Sequence, residues 1–164
     1  MSGPADPRAG VVADRVGTDP FAVHRTVVHV AVPGTAGERR ARRLVAAHTT
    51  RGWTGWVLPR AAVPALPAGA VVVVHGRAMA GRAGRALRRR VPAGTALLWW
   101  ADGARPGPLD RLRARGCNAV VVTTEVASRW ATRVPVPLLR VREDRAEADE
   151  AAAFVARAAA FGPA

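Results

Sequence analysis

Three short clusters in the sequence pair a glycine with groups that donate, accept or carry charge, and each ends an apolar run. The first is Pro33-Gly34-Thr35-Ala36-Gly37, followed by Glu38 and Arg39. The second is His75-Gly76-Arg77, after four consecutive valines, and the third is Asp102-Gly103, after Leu98-Trp99-Trp100-Ala101. Glycine lets a backbone reverse or approach a ligand where a side chain would clash. Around it stand a hydroxyl, an imidazole able to act as donor or base near neutral pH, a carboxylate and two guanidinium groups. Gly34, Thr35, Gly37, Arg39, His75, Gly76, Arg77, Asp102 and Gly103 are therefore the candidate ligand-binding residues. Each cluster also has a plain structural reading: a tight turn for 33–38, a capping or partly buried His75, and a capping Asp102.

The location of a site is easier to read than a reaction. The 33–38 turn is neither G-x-x-x-x-G-K-[ST] nor G-x-G-x-x-G, and Glu38 at a helix start opposes a phosphate that Arg39 would attract. His24, His29, His48 and His75 lack metal-ligand spacing, and no Ser-His-Asp order or pair of carboxylates assembles. No catalytic residue is identified, and no metal or cofactor is expected. Cys117, the one cysteine, opens an apolar strand and reads as a buried, inert thiol. Thr123-Thr124-Glu125 reads as a helix N-cap.

The elements that must position these clusters follow from hydrophobic patterning. Short β-branched runs at 26–32, 53–58, 70–75, 95–100, 118–123 and 137–142 read as strands. Arg/Ala/Leu segments at 37–50, 79–90, 108–115, 125–133 and 146–160 read as helices. Continuous runs such as Val71–Val74 and Ala119–Val122 mark strands buried on both faces, as in parallel sheets. The expectation is an α/β fold: a single three-layer Rossmann-like domain over 26–164, with a mainly parallel sheet of about six strands and the first strand central. Residues 1–25 read as a flexible arm, and the proline-rich 59–69 as an irregular crossover. The clusters then lie at carboxyl strand ends, where open α/β sheets bind ligands, with the 101–107 loop beside the 33–38 turn and His75-Gly76-Arg77 on the rim. On that placement Gly37→Val should abolish ligand binding and change thermal stability only modestly.

Charge points to a class of partner. All 25 basic residues are arginine, which accords with a GC-rich coding bias, and the net charge is +13. Between Arg25 and Arg142 stand 21 arginines and four acids, whereas 143–150 carries five acids and one arginine. Arginines in last turns, such as Arg88, Arg89 and Arg90, suit the negative end of a helix dipole. Arg39, Arg40, Arg42 and Arg43 lie near a helix start, where cations are unfavourable unless an anion is close. An anionic partner is expected: a phosphorylated or lipid-linked acceptor, a membrane surface, or nucleic acid. No run approaches the ~18 apolar residues of a membrane span, and residues 1–25 lack a signal-peptide layout, so a cytoplasmic location is expected.

The order of motifs resembles the amino-terminal, acceptor-side domain of GT-B-fold glycosyltransferases. Gly37-Glu38-Arg39 is similar to that family's Gly-Gly-x-Glu-Arg-like turn, and Arg51-Gly52-Trp53-Thr54-Gly55-Trp56-Val57-Leu58 to its "RG-H-x-V-x-V" strand. Ala70–Gly76 looks like the "D-V-V-H-x-H" strand, Asn118–Ala127 like "D-x-V-V-x-x-S", and Val134–Val141 like the strand before the hinge. Coverage is residues 26–142. Arg142-Glu143-Asp144 stands where the hinge signature would be, and no donor-binding domain follows in the sequence. The resemblance implies a stand-alone acceptor-binding domain, an accessory or split-enzyme subunit with a donor-domain protein chain as partner. Such a chain would have no transferase activity alone, and its helix 146–160 would pack back on the domain. The alternative is a non-enzymatic basic module that binds nucleic acid or anionic membrane surfaces, with peripheral attachment at the inner membrane.

Overall fold

The computed structural model describes residues 26–60, 70–91 and 95–142. The expected arm 1–25, crossover residues 61–69 and helix 146–160 lie outside the described residues. Six strands form one sheet: β1 (Thr26–Val30), β2 (Thr54–Leu58), β3 (Val71–His75), β4 (Ala96–Trp100), β5 (Ala119–Thr123) and β6 (Leu138–Val141). Their order is β2-β1-β3-β4-β5-β6, and every neighbouring pair is parallel. β3 and β4 are buried throughout, which accounts for the unbroken apolar runs Val71–Val74 and Ala96–Trp100: neither face meets water.

Helices cover both faces, as in a Rossmann-like domain. α1 (Ala36–Thr50) packs through Leu44 and Ala47 on the face carrying Val27, Val73 and Trp100. α2 (Gly81–Arg90), α3 (Asp110–Ala114) and α4 (Ala127–Ala131) pack through Leu87, Ala114 and Trp130 on the face carrying Val28, Val74 and Trp99. Trp99 and Trp100 thus enter opposite cores, as strand alternation requires. A short 3-10 turn, Gly76–Met79, separates β3 from α2, where one helix was expected from residue 79.

Two expectations change. β1 ends at Val30 and lies one strand in from the edge, while β3 and β4 hold the centre. The crossover from β2 passes β1 and adds β3 on its other side, so the fourth strand does not neighbour the first. The topological switch point is therefore between β1 and β3.

On the α1 face Leu98, Ala119, Val121, Leu139 and Val141 are all buried. α1 itself packs on β1, β2 and β3. The sequence reading of 146–160 as a helix packed back on the domain predicts that deleting residues 146–164 exposes apolar surface. Aggregation, or a sharply lower melting temperature in scanning fluorimetry, is the expected result. An unchanged melting temperature would show that the segment plays no part in the fold.

Candidate functional site

At the end of β1 the chain turns through Gly34, whose φ of +77° favours glycine. Thr35 caps α1: its hydroxyl accepts from the Glu38 N–H at 3.3 Å and donates to the Val32 carbonyl at 2.7 Å. The Glu38 carboxylate accepts from the Gly34 N–H at 2.8 Å, and Arg42 holds it at 2.7 and 3.1 Å. Those contacts, the Gly34 hydrogen bond first, hold the Glu38 carboxyl below its ordinary pKa. The helix start therefore already carries an anion of its own, and two of the arginine-rich segment's charges find partners within the chain. Arg42 pairs with Glu38, and Arg40 with Asp102.

The Arg40–Asp102 pair is the centre of the site. Arg40 Nη1 lies 2.6 Å from Asp102 Oδ1, and the guanidinium carbon sits 4.9 Å from the Trp100 ring centre. Arg40 is mostly covered, with 16% of its side chain exposed, whereas Asp102 is 41% exposed. The carboxylate of Asp102 lies directly on Gly76, where any Cβ would collide with Oδ2. Gly76 is further restricted to glycine by its φ of +50°. Its carbonyl accepts from the Trp99 indole at 3.1 Å, and the Gly103 carbonyl accepts from the Trp130 indole at 2.9 Å, so both loops are tied to the α2–α4 side. A cation fixed by aromatic stacking, beside bare backbone at a switch point, can receive an anionic group.

Beneath this pair runs a feature that sequence reasoning missed. His75, at the end of β3, stacks on Trp100 with ring centres 5.6 Å apart. Its Nε2 lies 2.8 Å from His29 Nδ1, and His29 Nε2 lies 3.2 Å from His48 Nε2. The three rings are buried, at 2%, 0% and 0% exposure for His75, His29 and His48. Burial pushes His48 down to about 4 and, with the Arg40 charge, His75 down to about 3; burial and its two histidine neighbours hold His29 well below 6.5. All three are neutral at pH 7. A neutral imidazole has one N–H and one lone pair. Two bonds among three rings therefore leave one N–H and one lone pair for the outer Nδ1 atoms of His48 and His75, which have no hydrogen-bond partner. His29 bonds through both nitrogens, which point apart, so the rings do not converge on one ion. Among the described residues no group of His, Cys, Asp or Glu is placed to hold a metal.

Of the expected residues, His75, Gly76 and Asp102 come together, with Gly37 packed on His75. A Cβ at Gly37 would stand 2.9 Å from His75 Cβ, so this glycine is needed for helix–sheet packing. Thr35 is spent on the cap. Arg39 and Arg77 are exposed, a Cβ at Gly34 would meet nothing, and Gly103, next in the chain to Asp102, is tied to Trp130. The 33–38 turn and the 101–107 loop are separated by β3 and joined by Arg40. Thr124 is not a cap: its hydroxyl donates to the Val141 carbonyl at 3.2 Å, and α4 starts at Ala127. Cys117 is buried and its thiol is pushed up to about 12, as expected of an inert sulfur.

Two signals were present in the sequence. Gly37, Ala41, Leu44 and His48 recur at three- to four-residue steps, which puts His48 on the buried face of α1. His29 alternates with Val28 and Val30 in β1, opposite in face to both. No protein-family model matches the chain, and no curated protein matches it.

Proposed function

We propose that the crevice over the β1/β3 switch point binds a ligand through an anionic group, phosphate or carboxylate, which takes the place of the Asp102 carboxylate beside Arg40. One observation carries this reading. A covered arginine, stacked on Trp100, is paired with Asp102, whose carboxylate is nearly half exposed and rests on Gly76. When that carboxylate swings out, Arg40 faces the backbone of Gly76, which carries no side chain of its own. His75 and Trp100 form the floor. With the glycosyltransferase-like order of motifs, this supports an acceptor-binding domain that is an accessory or split-enzyme subunit, with the donor-binding half on a partner chain. A cytoplasmic place accords with Cys117, a lone buried thiol.

Inorganic phosphate and pyrophosphate are suitable probes, read by isothermal titration. Asp102→Asn removes the competing charge and should tighten pyrophosphate binding about tenfold, about 1.4 kcal/mol, within the range of charge-assisted hydrogen bonds. Arg40→Gln should abolish it. Equal affinity in all three proteins would refute the crevice. Separately, sugar transfer from a nucleotide donor by the purified chain alone would refute the half-enzyme reading and leave the crevice standing.

A further inference from the structure

The helices opposite α1 form a layer that is basic and, at one place, greasy. At about 100° per residue, the buried Gly84 and Leu87 of α2 leave Arg82, Arg85 and Arg89 pointing outward. With Ala86 these three line one concavity of about 550 Å³. α2 contains no acid at all.

Beside α2 lies α3, reached by Arg88, whose guanidinium donates to the Arg113 carbonyl at 3.4 Å. In α3 the inward residue is Ala114, which puts Leu112, and Leu109 just before the helix, on the side facing away from the sheet. Both leucines are 59% exposed. Arg111 and Arg115 flank them and are exposed, as are Arg129 and Arg133 at α4 in the same layer. The acids here are few: Asp110, which pairs with Arg113 at 2.6 Å, and Glu125. The third large apolar side chain exposed among the described residues, Trp56, belongs to β2 at the sheet edge.

We infer that the α2–α3 face docks on an anionic lipid bilayer, with Leu109 and Leu112 entering the headgroup boundary and the surrounding arginines meeting lipid phosphates. Charge complementarity sets the sign of the partner, and the leucines choose its kind. Leucines projecting beyond a ring of arginines gain nothing from a phosphate backbone in water but gain burial in a membrane interface. Nucleic acid would instead favour aromatic platforms among the arginines, and this face exposes no tryptophan or phenylalanine among the described residues. The inference is independent of the crevice, which lies at the carboxyl strand ends.

Vesicle co-sedimentation of the full chain provides the test. Vesicles containing about one-third phosphatidylglycerol should bind at least tenfold more strongly than pure phosphatidylcholine, with the preference falling as salt rises. The double variant Leu109→Ser/Leu112→Ser should lose about tenfold in partitioning, as should Arg82→Gln/Arg85→Gln/Arg89→Gln. Both should keep the wild-type melting temperature, because these side chains are exposed. The inference is overturned by any of three results: no preference for the anionic vesicles, anionic binding that ignores the leucines, or arginine-dependent retention of duplex DNA or single-stranded RNA without vesicle binding.

Discussion

Acidification from pH 7 to pH 5 is expected to unfold the protein. His29, His48 and His75 are buried as neutral rings, with pKa values lowered to about 4 for His48, about 3 for His75 and well below 6.5 for His29. In the unfolded chain each titrates near 6.5. Below that pH the unfolded state binds more protons than the folded one, so stability falls as pH falls. The stabilisation is fully present above about pH 6.5 and is lost between there and the folded values near 4 and 3. Each ring contributes about 1.4 kcal/mol per pH unit in that window. Three rings together remove about 6 kcal/mol by pH 5, comparable with the whole stability of an ordinary domain.

Chemical denaturation at pH 7, 6 and 5 should show this as a steep fall in midpoint, with uptake of close to three protons per molecule on unfolding at pH 5. Self-repulsion of a chain at +13 also grows in acid, but salt relieves repulsion and does not relieve desolvation of an imidazole. A midpoint that recovers fully in high salt, or does not move between pH 7 and pH 5, would show that the rings are not what limits acid stability.

The second large effect concerns Gly37. The sequence places it in a ligand-approach turn, where Gly37→Val should cost binding and little stability. In the structure Gly37 is buried, and a Cβ there meets His75 Cβ at 2.9 Å. His75 has little room to yield, since Trp100 stacks on it and His29 holds its Nε2. Valine would lift the start of α1 from β3, take Arg40 away from Trp100 and Asp102, and open the histidine chain. Overpacking of this kind costs about 3 kcal/mol, at the upper end of what extra methyl groups impose on a tight core. For a chain of this length that corresponds to a fall in melting temperature of roughly 6–12 °C. Binding and stability should therefore be lost together. Gly37→Val with wild-type melting and no pyrophosphate binding would restore the original reading of this glycine as a ligand contact alone.

The local parts of this fold were legible because their causes are local. Val71–Val74 and Ala119–Val122 are continuous apolar runs because their strands meet helices or core on both faces, and that alone implies a parallel sheet with helical crossovers. Alternation along β4 separates Trp99 from Trp100 whatever the topology. Gly76 and Asp102 could be placed at carboxyl strand ends because glycine and an acid close apolar runs there. What depended on strand order could not be read. A single crossover, from β2 across β1 to β3, moves the first strand off centre and inserts β3 between the 33–38 turn and the Asp102 loop. The pairings that build the site then join residues far apart in the chain: Arg40 with Asp102 across 62 positions, His29 with His75 across 46, and His29 with His48 across 19. No spacing rule links such residues. Periodicity decides which face of its own element a side chain occupies, and only the packing of α1 over β1 and β3 decides that three of those faces are the same one.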